Sequence, residues 1–118
     1  MTDNLNELKT IDDLNRALEE SHKRPVLVFK HSNTCPISTR AFRELESYLS
    51  RADSRAGYNL VVVQTSRPVS NEIVARLGID HESPQAIIVN QGREVWSASH
   101  MSITADALAR AIDAVLSR

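Results

Sequence analysis

One cysteine is all this sequence offers. Cys35 stands alone, so no disulfide can form within the chain and no disulfide framework can brace the fold. The C-x-x-C dithiol is absent too, because the place three residues on holds Ser38. Aromatic residues are few, two Phe, two Tyr and one Trp, and the formal net charge is −1. The basic stripe with interleaved aromatics that marks a nucleic-acid binder is therefore missing. No run approaches the roughly 18 consecutive apolar residues of a membrane span. Met1-Thr2-Asp3-Asn4 is polar and acidic, so the expectation is a chain without a secretory leader, working in the reducing cytoplasm. His22, His31, His81 and His100 fall at no zinc-motif spacing, and one cysteine cannot supply a thiolate set, so no metal site is expected.

What is present is ordinary for one globular domain. The 118 residues, 42% hydrophobic and 25% charged, suffice for a single core spanning 1–118. Thr10, with Asp13 three residues later, reads as a helix start, and Ile11, Leu14, Ala17 and Leu18 follow at helical spacing. Val26–Lys30 reads as a buried strand, and Leu60–Gln64 as a second. Between them, Ser38, Ala41, Phe42, Leu45 and Leu49 mark one face of a helix. Ser70 reads as the cap of a short helix that Gly78 stops. Ala86–Val89 and Glu94–Ala98 flank the turn Asn90-Gln91-Gly92, and Thr104 caps a last helix through Leu116. A weak extra strand falls near Leu5–Lys9. The order predicts an α/β fold: a mixed sheet of four or five strands flanked by helices, its first core strands parallel and its last two antiparallel.

Cys35 falls at a strand-to-helix junction, with Pro36 behind it. Proline suits the first helical position, where its missing amide hydrogen would have no helical partner. The remaining first-turn amides and the helix dipole put partial positive charge beside the sulfur. That favours the thiolate, which is the nucleophilic form. Ser38 cannot form a disulfide, so a thiol from another molecule must complete any redox cycle. The competing interpretation is a small buried core cysteine.

A βαβ unit, a helix, a β-hairpin and a closing helix, with a cysteine after the first core strand and Pro84 directly before the third, resemble the thioredoxin-like order. Within it, Phe29-Lys30-His31-Ser32, Thr34-Cys35-Pro36-Ile37-Ser38, Ser83-Pro84-Gln85 and Ser99-His100 before Ile103-Thr104 resemble the monothiol bacilliredoxins of the YtxJ type. The resemblance runs from about Leu8 to the C-terminus. It implies a cis Ser83–Pro84 bond beside Cys35. It also implies thiol–disulfide exchange under oxidative stress: Cys35 removes bacillithiol from bacillithiolated client proteins and is then regenerated by bacillithiol or another reductant. Bacillithiol is thus a co-substrate, with no bound cofactor.

Around that nucleophile, Thr34 and Ser38 offer hydroxyls within plausible reach of the sulfur, and Lys30 or His31 could add positive charge. Strand alternation sends only one of Lys30 and His31 to any given face, and the plainer expectation is a solvated Lys30 and a loop-packing His31. By resemblance, the backbone at Ser83 and Pro84 receives a thiol-bearing segment, and Ser99 and His100 contact the small thiol's polar groups. Three other functions stay open. A one-cysteine peroxidase lacks its P-x-x-x-T-x-x-C pattern here, since Thr34 adjoins Cys35. Against an arsenate reductase, the sequence shows no compelling arginine set near the cysteine, although Arg40 and Arg43 lie on the following helix. A non-enzymatic thioredoxin-like adaptor would keep the motif as structure alone.

Overall fold

A computed structural model describes residues 4–118; the opening Met1-Thr2-Asp3 lies outside the described residues. The chain runs β1 (Leu5–Glu7), α1 (Ile11–Glu20), β2 (Val26–His31), α2 (Pro36–Leu49), β3 (Gly57–Val62), α3 (Arg67–Leu77), β4 (Gln85–Asn90), β5 (Arg93–Ser99), a 3₁₀ turn (His100–Ser102) and α4 (Ala105–Leu116). The strands form one sheet in the order β1-β3-β2-β4-β5. β1 and β2 run parallel to β3, β4 runs antiparallel to β2, and β5 runs antiparallel to β4.

Both faces of the sheet are covered, which is why β2 and β4 read as unbroken apolar runs. Successive side chains alternate across the sheet. Leu27, Phe29, Ala86 and Ile88 enter a core with Leu45 of α2 and Leu108 and Ile112 of α4. Val26, Val28, Ile87 and Val89 enter the opposite core with Leu14 of α1 and Ile73 of α3. Burying each of these Val, Leu, Ile and Phe side chains contributes about 1.5–3 kcal/mol. Trp96 packs part-buried against the first core.

Local chemistry sets the element ends. Thr10 Oγ1 accepts the Asp13 amide at 3.1 Å while the Asp13 carboxylate accepts the Thr10 amide at 3.1 Å, a reciprocal cap for α1. Thr104 Oγ1 accepts the Ala107 amide at 3.0 Å and starts α4. Gly78 ends α3 at φ 67°, a left-handed geometry that glycine adopts without a Cβ clash. Gln91 and Gly92, both at positive φ, make the two-residue turn between β4 and β5.

Several boundaries differ from the sequence expectation. β3 begins at Gly57 rather than Leu60 and ends at Val62. Asn59 earns its buried strand place by donating its side-chain amide to the Leu27 carbonyl at 3.2 Å. α3 is capped by Ser66, not Ser70, and takes Pro68 in its first turn. Ser70 is a buried residue inside that helix. The weak first strand is shorter than expected, Leu5–Glu7, and pairs with β3.

Candidate active site

The C-terminal end of β2 delivers the chain to the site. After His31 a short loop leads to Cys35, the N-cap of α2, with Pro36 as the first helical residue. The Cys35 backbone is extended, φ −106° and ψ 122°, and its carbonyl accepts the Thr39 amide at 3.0 Å, so the helix is properly started. Its sulfur makes no capping hydrogen bond and is partly exposed. The free amides of the first turn and the positive end of the helix dipole therefore lie beside an unengaged thiol. The first turns of α1 and α4 carry Asp12, Asp13 and Asp106, whereas that of α2 carries no acid. No carboxylate of its own first turn offsets the charge at the head of α2.

The loop is held from two sides. Gln64, beyond β3, accepts the Asn33 amide at 3.2 Å and donates to Ser32 Oγ at 2.7 Å and Thr34 Oγ1 at 3.2 Å. From inside, Ser38 Oγ accepts the Ser32 amide at 2.9 Å and meets His31 Nδ1 at 2.8 Å. The His31 ring packs 5.0 Å from the Phe42 ring, centroid to centroid. Burial lowers the His31 pKa, which favours the neutral ring, whose tautomer sets the direction of its bond with the Ser38 hydroxyl. Ser38 thus bonds to His31 and to the loop backbone, and neither of them nor Thr34 hydrogen-bonds to the sulfur.

Lys30 corrects an expectation. It is 0% exposed, not solvated, because α3 covers its face of the sheet. Its ammonium makes one long hydrogen bond, 3.5 Å to the Ser70 carbonyl inside α3, and no ion pair among the described residues. Burial lowers its pKa to about 8. Gln85 stands opposite it on β4. His81, whose ring lies 3.5 Å from Ser70 Oγ, has its pKa lowered by burial and then by the Lys30 charge.

The Ser83–Pro84 bond is cis. Pro84 is buried one residue before Gln85, which pairs with Lys30, so it stands at the end of β2 from which the Cys35 loop leaves. Ser83 Oγ and Gln85 Oε1 are buried without a hydrogen-bond partner among the described residues. His100 donates its amide to the Pro84 carbonyl at 3.1 Å, and its ring lies 3.7 Å from the Glu82 carboxylate. Ser99 pairs with Gln85 across β4 and β5. Ser83, Pro84, Ser99 and His100 therefore share one corner.

The open hollow at Cys35, of about 440 Å³, has other walls: Asn33, Thr34 and Pro36 beside the sulfur, and Thr39, Arg40 and Arg43 from the next turns of α2. The sequence expectation that Arg40 and Arg43 form no arginine set near the cysteine is corrected here. Their signal was helical spacing, since Pro36, Arg40 and Arg43 fall on one face. Gln64 was missed as well, and nothing local to it announces a contact 30 residues away. The only large apolar side chains exposed among the described residues are Ile37, 41% exposed, and Met101, 55% exposed. Ile37 lies two residues past Cys35, and Met101 Sδ lies 3.8 Å from Arg40 Nη1. Among the described residues no group of three His, Cys, Asp or Glu side chains is placed to hold a metal ion.

Solved structures share this fold. A protein described as a proposed oxidoreductase with a thioredoxin fold is 34% identical, with TM-score 0.81 over 92% of this chain and 93% of its own. Thioredoxin from Fasciola hepatica, 17% identical, matches at TM-score 0.75 over 93% of this chain and 98% of its own. A thioredoxin variant from Halobacterium salinarum, 13% identical, also matches at 0.75, over 97% and 92%. Fold and site together define a thioredoxin-fold thiol oxidoreductase. Residues 6–108 match the family of monothiol bacilliredoxin BrxC, and the chain belongs to that family.

Proposed function

We propose that this chain is a bacilliredoxin of the YtxJ type that strips bacillithiol from client proteins with Cys35 alone. The observation that carries the reading is the pairing of a part-exposed, unengaged thiol at the head of α2 with a buried Ser38 already committed to the loop. The Cys35 thiolate attacks the bacillithiol sulfur of the mixed disulfide. The bond to the client sulfur breaks, the client leaves as a thiolate and takes a proton, and the bacillithiol stays on Cys35. Attack by a second bacillithiol, or by another thiol of its reducing system, frees Cys35. The client is reduced and the external thiol oxidised, so electrons balance without a bound cofactor. Thr34 and Pro36 shape the rim, while His31 and Ser38 hold the loop that presents the sulfur. Ser83, Pro84, Ser99 and His100 offer the neighbouring corner to the client or thiol, and exposed Ile37 and Met101 give the client an apolar footing. A lone thiol of this kind stays reduced in the cytoplasm, where oxidative stress would supply its substrates.

Incubating the reduced protein with a bacillithiolated client, without external thiol, tests this. The expected result is one bacillithiol mass on Cys35, released client thiol, and neither with Cys35→Ser. Client release without a retained adduct rejects the single-thiol route. Transfer from glutathionylated but not bacillithiolated clients rejects bacillithiol as co-substrate.

The two arginines beside Cys35 favour one second reading, reduction of an oxyanion such as arsenate. Thiol-dependent turnover of arsenate, with none on mixed disulfides, would select it.

A further inference from the structure

Arg40 and Arg43 give the Cys35 hollow a cationic wall, and we infer that they select small thiols that carry a carboxylate. This rests on the reading that Cys35 accepts a small thiol. Arg40 has a natural partner on its own helix, Glu44 at the favourable four-residue spacing. That carboxylate is used elsewhere: Glu44 Oε1 accepts the Ala105 amide at 2.9 Å, at the start of α4. What Arg40 keeps is a 3.8 Å contact with Met101 Sδ, a weak acceptor. Arg43 makes no ion pair among the described residues. No acidic side chain lines the hollow. The head of α2, with no acid in its first turn, adds positive potential at the same place.

Two guanidinium groups without a counter-charge, beside a nucleophile, suit a carboxylate ligand. The open hollow, about 440 Å³, has room for the small thiol that Cys35 would carry on this reading. The carboxylate is therefore assigned to the small thiol, not to acidic residues of the client. Arg40 and Arg43 are specificity residues. They hold the anion while the sulfur-to-sulfur bond moves from client to Cys35, and they exchange no proton or electron.

Two measurements on the full chain test this. The first needs no disulfide exchange. Cys35 is alkylated with iodoacetate and with iodoacetamide, which share one reaction and differ in charge. The iodoacetate-to-iodoacetamide rate ratio should fall roughly fivefold or more from wild type to Arg40→Gln/Arg43→Gln, and wild type should lose the same advantage in high salt. An unchanged ratio overturns the inference. The second uses a neutral client peptide joined either to glutathione or to glutathione dimethyl ester. Wild type should prefer the free-acid disulfide about tenfold, and the double glutamine variant should bring that ratio near one. A preference that instead follows glutamates placed beside the client cysteine, with the ester on the peptide, overturns the assignment to the small thiol. Absence of transfer from both glutathione disulfides and from a bacillithiolated client, with the alkylation ratio still arginine-dependent, supports the anion wall and rejects thiol exchange. Transfer that ignores the arginines in both assays rejects the wall alone.

Discussion

Ser38 Oγ lies 2.8 Å from His31 Nδ1 and accepts the Ser32 amide at 2.9 Å, so one buried hydroxyl ties the last residue of β2 to the loop and to the first turn of α2. The His31 tautomer sets whether Nδ1 accepts the hydroxyl hydrogen or donates to the oxygen, and in both cases the Ser32 amide takes a lone pair of Ser38 Oγ. The residue occupying the place of a second cysteine is therefore a structural tie.

Ser38→Ala should destabilise the protein by about 1–3 kcal/mol, because the Ser32 amide loses its acceptor. Urea midpoints measure this, and a neutral change would show that water replaces the tie. Ser38→Cys should place a thiol within disulfide range of Cys35. Under oxidation its free-thiol count should drop to zero and a retained small thiol should be shed. Two persistently free thiols would show that the side chain at 38 stays turned inward.

Lys30 predicts an unusual alkaline limb. Its folded pKa, about 8, lies below its ordinary 10.5, so between these values the unfolded chain holds more protons than the folded one. Stability should therefore rise with pH above about 8, by up to about 3 kcal/mol if no other group titrates. Tyr48 and Tyr58 act oppositely: burial raises both pKa values, and their contribution is lost as pH climbs beyond about 10. The rise should thus be visible between about pH 8 and 10. Lys30→Met should flatten it and stabilise the protein at pH 7 by about 1–3 kcal/mol. Urea unfolding at pH 7, 8.5 and 9.5 decides the matter; a flat wild-type profile, or a weaker Met variant at pH 7, contradicts an uncompensated buried ammonium.

The Tyr48–Tyr58 pair predicts an asymmetry. Tyr58 donates to the Asp53 carbonyl at 2.8 Å and so receives the Tyr48 hydroxyl, also at 2.8 Å. Tyr58→Phe leaves a carbonyl and a hydroxyl donor without partners and should cost about 1–3 kcal/mol. Tyr48→Phe removes one donor and should cost about half as much. Equal losses would refute this direction of donation.

Local chemistry was legible in the sequence, and tertiary environment was not. Thr10, Thr104, Pro36 and Gly78 act through neighbours within four residues, so their roles follow from spacing. The strand at Gly57–Val62 was read three residues late because Gly57, Tyr58 and Asn59 lack a β-branched pattern. They are strand residues because β1 and β2 pair on either side. Pro68 could have moved the α3 start to Ser66, since proline belongs in a first turn. The burial of Lys30 had no local signal: α3 imposes it from 40 residues away. Cys35 and Pro84 were legible as motif residues, and Arg40 and Arg43 were visible on the face they share with Pro36, but not that Glu44 is engaged elsewhere.

The strand order β1-β3-β2-β4-β5 also makes the molecule divisible. β1, β3 and β2 lie on one side of the β2–β4 seam, and β4 and β5 on the other. The connecting residues Gly78 and Asp80 are exposed. A chain severed there gives one fragment carrying Cys35 and a second carrying Pro84, each with an open strand edge and an uncovered apolar face. The seam offers five register pairs, from Val26–Val89 to Lys30–Gln85, to rejoin them. Fragments 1–79 and 80–118 should therefore complement one another, and recovery of the Cys35 adduct on mixing would report the reassembly. Thiol capture by the longer fragment alone would instead make the C-terminal hairpin and helix dispensable to the chemistry.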